Sequence, residues 1–379
     1  MMRKMVFIIS LFLISLTVTG CDQREKLLLL NWGEYINDEI IAMFEEKYNC
    51  NVILNIADSN ELFYAKIKSG TTVYDLVIPS EYMVERMVEN DLLQKVDYTQ
   101  LTNYDPLNNP YLPGVLGIQR QMFEEYEEYG VPYFWGTFGL MYNKRVEGLE
   151  EGIKKYAWQG FFEPNLLPQG IRVGMYDVPR FAYAATMFYL SQSPNDFSEE
   201  LLKEAEKVLL KRKFSEWGTD TLKKGIVAGN RDLAFVYTGD FLDMLYVKLS
   251  DGEKKEDISF DIHIPNQTIA FMDTFVIPKK ARHLDLAHKF IDFLLDPEIA
   301  YLNASVVGYC TPLLKTYEMI VNYEGEDQWL NDWKSANLTY YPLPAQNEEQ
   351  FIGTPLKNFN RSTLNEISTM VNNVIVKNR

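Results

Sequence analysis

The 379-residue chain is poor in the residues that catalysis and cross-linking demand. Its three cysteines, Cys21, Cys50 and Cys310, are too few for a disulfide scaffold and lack the spacing of a zinc site. Its three histidines fall at His263, in an alternating apolar segment, and at His283 and His288, at a polar helix start and on a helix face. They read as solvated or satisfied side chains. There is no GxSxG, no GxGxxG after a strand, no HExxH and no CxxC. Acidic residues number 53, so close carboxylate pairs arise by chance and no spacing singles out a general acid and base. An enzyme is unsupported on these grounds, and no cofactor or metal is implied. Positive charge is also scarce: the formal net charge is −16, which disfavours nucleic acid and anionic lipid as partners. Internal repeats and low-complexity tracts are missing, and no second membrane span follows the N-terminal segment.

That N-terminal segment is the first positive signal. Met1-Met2-Arg3-Lys4 is a short basic start, residues 5–18 are almost purely apolar, and Thr19-Gly20-Cys21 supplies small residues at a cleavage point. The layout is that of a secretory signal, too short for an ordinary transmembrane helix. Leu16-Thr17-Val18-Thr19-Gly20-Cys21 resembles a bacterial lipobox, which implies a lipid on Cys21 as the first mature residue. The expectation is a signal peptide over 1–20, a lipidated linker over 21–26 and an extracytoplasmic chain anchored at the outer face of the cell membrane. One acyl chain binds a membrane only marginally, so stable anchoring implies at least two. Cleavage after Gly20 removes Arg3 and Lys4, which takes the net charge to −18 over 359 residues. That length suits two domains better than one.

The mature chain alternates short strands and helices. Leu27-Leu28-Leu29-Leu30-Asn31-Trp32 reads as a buried strand. A helix over 38–48 follows, with Ile40, Ile41, Phe44 and Tyr48 at helical spacing. Strands are expected at 50–56 and 74–79, with helices at 59–69 and 80–90. Further on, 138–142, 233–238 and 275–278 read as strands, and 166–176 contains another, broken by Pro168 and Gly170. Residues 181–190, 196–211 and 284–295 read as helices, and 304–311 as a linker. The order indicates α/β units with parallel strands, which place ligands beyond the strands' carboxyl ends.

Aromatic residues are what the chain has in excess, at 14% with 24 tyrosines and 6 tryptophans. Trp32, Tyr35, Tyr82, Trp135, Tyr237, Phe271 and Tyr309 all fall in expected loops or strand ends. Aromatic faces attract cations and enclose methylene chains. A desolvated ammonium also needs a carboxylate, and Asp273 and Asp240 are placed to supply one. Arg180 is the one basic residue expected near such a pocket.

At these residues the chain resembles the spermidine/putrescine-binding proteins of ABC importers. The segments that carry the resemblance are Leu30-Asn31-Trp32-Gly33-Glu34-Tyr35, Tyr74-Asp75-Leu76-Val77-Ile78-Pro79-Ser80-Glu81-Tyr82 and Val131-Pro132-Tyr133-Phe134-Trp135-Gly136-Thr137. Tyr237-Thr238-Gly239-Asp240, Phe271-Met272-Asp273-Thr274 and Gly308-Tyr309-Cys310-Thr311-Pro312 continue it in order. The resemblance implies a two-lobe periplasmic-binding-protein-like α/β fold with mixed sheets and a central ligand cleft. It implies lobe 1 at 27–137 and 268–309, and lobe 2 at 138–267 and 310–379. It further implies a non-enzymatic monomer that closes on a small, cationic solute and delivers it to a permease and its ATPase.

By position, Trp32, Tyr35, Ser80, Tyr82, Tyr237, Phe271 and Tyr309 match cleft residues of that family, and Asp273 matches an aspartate that pairs with an ammonium. Gly33 replaces a threonine, and Tyr237 and Phe271 each replace a tryptophan. The chain departs from the family at an Asp-x-x-Arg-Glu segment, which here reads Asp177-Val178-Pro179-Arg180-Phe181. Val178 and Phe181 stand where two binding acids belong, so Phe181 is expected as an apolar wall. Asp177 or Asp240 is then left to restore a charge contact. Losing one pairing of a desolvated ammonium costs about 2–5 kcal/mol, enough to change the preferred solute. A sugar, amino-acid derivative or anion as solute, an extracellular hydrolase, and a structural surface lipoprotein remain as alternatives.

Overall fold

The structure, a computed structural model, describes residues 24–340 and 353–378. The expected signal segment 1–20 and Cys21 lie outside the described residues, as do residues 341–352. Among the described residues, eleven strands appear in chain order: β1 Glu25–Asn31, β2 Cys50–Ile56, β3 Leu76–Val77, β4 Leu93–Gln94, β5 Gly130–Asn143, β6 Val173–Tyr176, β7 Glu216–Gly218, β8 Leu233–Tyr237, β9 Phe260–His263, β10 Thr268–Pro278 and β11 Gly353–Pro355.

The first half forms as parallel units. The run Leu27 to Leu30 gives β1 its buried side chains, and β1 pairs in parallel with β2 from Glu25↔Cys50 to Asn31↔Ile56. Between them runs the helix Asp38–Tyr48. Asn37 caps it by accepting the Glu39 N–H, and Asn49 closes it in the left-handed region at φ 48°. β3 joins β1 in parallel at Leu29↔Leu76, and β10 lies antiparallel against β3 at Val276↔Val77. The spatial order β2-β1-β3-β10-β5 makes a mixed sheet, with β4 and β11 attached to β10.

β5 links the two halves. All 14 of its residues are buried, in a run that carries no charged side chain. Its first part, Gly130 to Thr137, pairs with β10; from Phe138 onward it pairs with β8 and β9. β8 then pairs in parallel with β6, and β6 with β7, to build the second sheet. At the change of partner the Thr238 hydroxyl donates to the Thr137 carbonyl at 2.7 Å, and Thr268 donates to the Phe138 carbonyl at 3.0 Å. The Trp135 N–H donates to the Cys310 carbonyl at 3.2 Å. Three chain passages therefore meet at one level, giving a two-lobe α/β fold with a cleft between the sheets.

Several local expectations change. The expected linker at 304–311 is helical through Val307, because Asp296 caps the helix Pro297–Val307 and Gly308, at φ 78°, ends it. The strand expected within 166–176 is confined to β6, past Gly170 at φ 79°. Phe271 and Trp135 lie inside strands and not at their ends, and Tyr82 lies in the first turn of the helix Glu81–Glu89. A strand's period of two buries alternate side chains whatever their position along it, so aromatic content alone does not mark an end.

Candidate functional site

A cavity of about 220 Å³ opens between the sheets. One side is the loop after β1, with Trp32, Gly33, Glu34 and Tyr35, beside Ile56, Ala57 and Asp58 at the end of β2. The other side is Tyr176 at the end of β6, Tyr237 at the end of β8, and the helices Asp220–Val227 and Thr238–Ser250. Asp273 and Tyr309 complete it. The site thus lies past the carboxyl ends of β1, β2, β6 and β8, where α/β sheets hold ligands.

Asp273 is aimed by a defect in the sheet. Between Asp273 and Thr274 the β10–β5 register shifts, because Asp273 faces Phe134 and Thr274 faces Pro132, leaving Tyr133 as an extra residue. A bulge of this kind bends the strand and redirects side chains. The Tyr35 hydroxyl donates to Asp273 Oδ2 at 2.6 Å and the Ser80 hydroxyl to Oδ1 at 2.7 Å. Burial pushes the Asp273 carboxyl up to about 6, and the two hydroxyl donors hold it from rising further. Burial, then the neighbouring carboxylate, keeps the Tyr35 phenol well above its usual range, so it remains a donor. Tyr35 is itself fixed from behind, since its carbonyl accepts from the Tyr133 hydroxyl at 2.6 Å, and Asn303 donates to that hydroxyl at 2.9 Å. Among the described residues, Asp273 accepts from hydroxyls and from no basic side chain.

The rings form a braced wall. Trp32 donates its indole N–H to the Ile78 carbonyl at 2.8 Å and packs on Phe63 at 4.7 Å. Tyr35 and Tyr309 meet edge-on at 4.8 Å. Tyr237 packs on Phe138 at 3.9 Å, on Phe271 at 4.8 Å and on Tyr176 at 5.5 Å. Edge-to-face packing of this kind fixes ring orientation and leaves some faces toward the cavity.

The opposite pole differs in charge chemistry. Asp240 lines the cavity, but its Oδ1 already accepts from Lys223 Nζ at 3.0 Å and from the Tyr309 hydroxyl at 3.0 Å. Lys223 also donates to Asp243 at 3.2 Å. Burial pulls the Lys223 ammonium down, but Asp240, Asp243 and Asp220 outweigh that and hold it well above the ordinary lysine range. The sequence reading missed Lys223. It also missed Glu34, Asp58, Tyr176, Asp220 and Asp243 as lining residues. The spacing of Asp240 and Asp243, three apart on one helix face, was the available signal for a cation between them.

Of the residues expected at the site, Trp32, Tyr35, Tyr237, Asp240, Asp273 and Tyr309 line the cavity. Ser80, Tyr82 and Phe271 are buried behind it, with Ser80 gripping Asp273 and Asn60 donating to Ser80 at 3.0 Å. Asp177 is exposed and Val178 half-buried, and neither lines the cavity. Phe181 packs on Phe138, Tyr176 and Tyr237, as backing to the wall. Arg180 faces away: it donates to the Pro194 carbonyl and to Asn195, and lies over Phe359. The basic residue at the cavity is Lys223 in its place, because the first turn of the helix Pro179–Tyr189 turns Arg180 to the outer side.

Residues 30–301 match the family of bacterial extracellular solute-binding proteins. The chain is 29% identical over 317 residues to the putrescine/cadaverine-binding protein of Pseudomonas aeruginosa, spanning 82% of this chain and 85% of that one. It is 25% identical over 351 residues to the spermidine/putrescine-binding periplasmic protein of Escherichia coli K12, spanning 86% and 92%. The solved spermidine/putrescine ABC transporter substrate-binding protein PotD of Streptococcus pneumoniae matches with a TM-score of 0.71 at 26% identity, over 94% of this chain and 100% of that one. Two lobes around a walled cleft are the architecture of a receptor for a small solute. The chain belongs to the bacterial extracellular solute-binding protein family, as the extracytoplasmic substrate-binding protein of an ABC-type importer that works with a permease and its ATPase.

Proposed function

We propose that the solute is a small aliphatic amine, captured with its ammonium on Asp273 and its carbon chain against Trp32, Tyr35 and Tyr237. The observation that carries this reading is the Asp273 carboxylate, buried at the cavity with hydroxyl partners and, among the described residues, no basic one. A buried carboxylate in that state is costly until a cation arrives, and each of its oxygens retains a free lone pair. The exposed acids Glu34, Asp58 and Asp220 at the rim favour approach of cations. Relatives whose names specify putrescine, cadaverine and spermidine bind solutes of this chemistry.

In this account the lobes, 27–137 with 268–309 and 138–267 with 310–379, close on the amine and expel water. Closure strengthens the ion pair because charges interact more strongly in a drier site. Cys21 carries the lipid that holds the receptor at the membrane. Calorimetry on protein stripped of solute by unfolding and refolding tests the ligand class. The reading requires an aliphatic amine to bind while a neutral sugar and a dicarboxylate do not. Sugar or dicarboxylate binding without an amine response contradicts it. Release of the Cys21→Ala protein into the medium tests the anchor.

A further inference from the structure

Two buried aspartates line the same cavity, and they are in different states. Asp273, 5% exposed, has hydroxyl donors alone. Asp240, 4% exposed, is already paired with Lys223 at 3.0 Å. The Lys223 side chain is 6% exposed, and its ammonium also pairs with Asp243 at 3.2 Å. An amine is thus built into the cleft wall, held by two carboxylates.

We propose that Lys223 is a specificity-determining residue, a tethered ammonium filling the second cation position, so that the cleft takes a solute with one ammonium and a neutral tail. The inference rests on the amine reading above. An elongated diamine anchored at Asp273 would bring its second charge either toward Lys223 or toward the rim. Near Lys223 it meets a like charge, beside two carboxylates that already share that lysine. At the rim it meets Glu34, Asp58 and Asp220, which are exposed and so contribute little to a pairing. The segment 177–181 supplies no alternative, because Asp177 does not line the cavity and Phe181 lies behind Tyr237. An anionic tail is disfavoured as well, because two aspartates bracket the single lysine.

The test compares butylamine with putrescine, which share a four-carbon chain and differ by one ammonium, on solute-free protein by calorimetry. The wild type is expected to bind putrescine less than tenfold more tightly than butylamine. Lys223→Met, which keeps most of the apolar stem and removes the charge, is expected to raise the putrescine-to-butylamine affinity ratio by tenfold or more. A wild-type preference for putrescine of tenfold or more overturns the inference, as does a folded Lys223→Met protein whose ratio changes by less. If the variant fails to fold, the wild-type ratio decides. Failure of the amine reading itself looks different: neither amine binds, or both bind equally well to Asp273→Asn, and the inference falls with it.

Discussion

The Tyr35 hydroxyl donates to the Asp273 carboxylate at 2.6 Å, tying the loop after β1 to the bulge in β10. This bond favours the charged form of a carboxyl that burial pushes up to about 6. Pairing with an ammonium requires that charged form. Amine affinity is therefore expected to be flat above neutrality and to fall as pH drops through about 6. Tyr35→Phe removes a donor from the carboxylate, so the midpoint moves to higher pH and affinity at pH 7 falls by several-fold. Titration calorimetry between pH 5 and 8 reads both effects.

Tyr237 is held by Phe138, Phe271 and Tyr176, so its ring is presented to the cavity with little freedom to lose. Contact of a cation or its methylenes with such a ring is worth about 0.5–2 kcal/mol. Tyr237→Ala is expected to weaken amine binding by roughly threefold to thirtyfold, and Tyr237→Phe by much less, in the same titration.

Gly239 lies against Tyr309, where an added Cβ would overlap the ring. Tyr309 in turn donates to Asp240. Gly239→Ala must move the ring or the helix start, at a cost of about 1–3 kcal/mol. The expected outcome is a lower melting temperature together with weaker solute binding.

Asn195 fixes the segment that returns near the C-terminus. It donates to the Pro355 carbonyl at 3.0 Å and accepts from the Lys357 N–H at 2.9 Å and from Arg180 at 2.8 Å. The same segment reaches the helix Glu81–Glu89, through Leu356 N–H to Glu81 at 3.3 Å and Asn358 N–H to Glu85 at 2.7 Å. Asn195→Ala strips partners from the part-buried Pro355 carbonyl and Arg180 guanidinium and is expected to cost about 1–3 kcal/mol. Faster amide exchange at Leu356 and Lys357 than in the wild type checks it.

Much of the fold was readable because strand and helix periods differ and alternate along the chain. The leucine run of β1 and the helical spacing in 38–48 needed no tertiary information. Trp32, Tyr35 and Asp273 were readable as candidates because they follow strands or sit in matching segments. Lys223 was not. The run Asp220-Thr221-Leu222-Lys223-Lys224-Gly225 looks like a solvated turn, and one of its two lysines is buried only because Asp240 and Asp243 come from another helix. The opposite fates of Arg180 and Lys223 have the same origin, since helix rotation and packing decide which cation faces the cleft.

Asp273 is the proposed anchor for a positively charged solute. Titrating an aliphatic amine into solute-free wild type and Asp273→Asn, side by side at pH 7.5, tests it most directly. Affinity that falls by more than tenfold in the variant, with the melting temperature of the empty protein not lowered in parallel, is the predicted result. Equal affinity in the two proteins would contradict it.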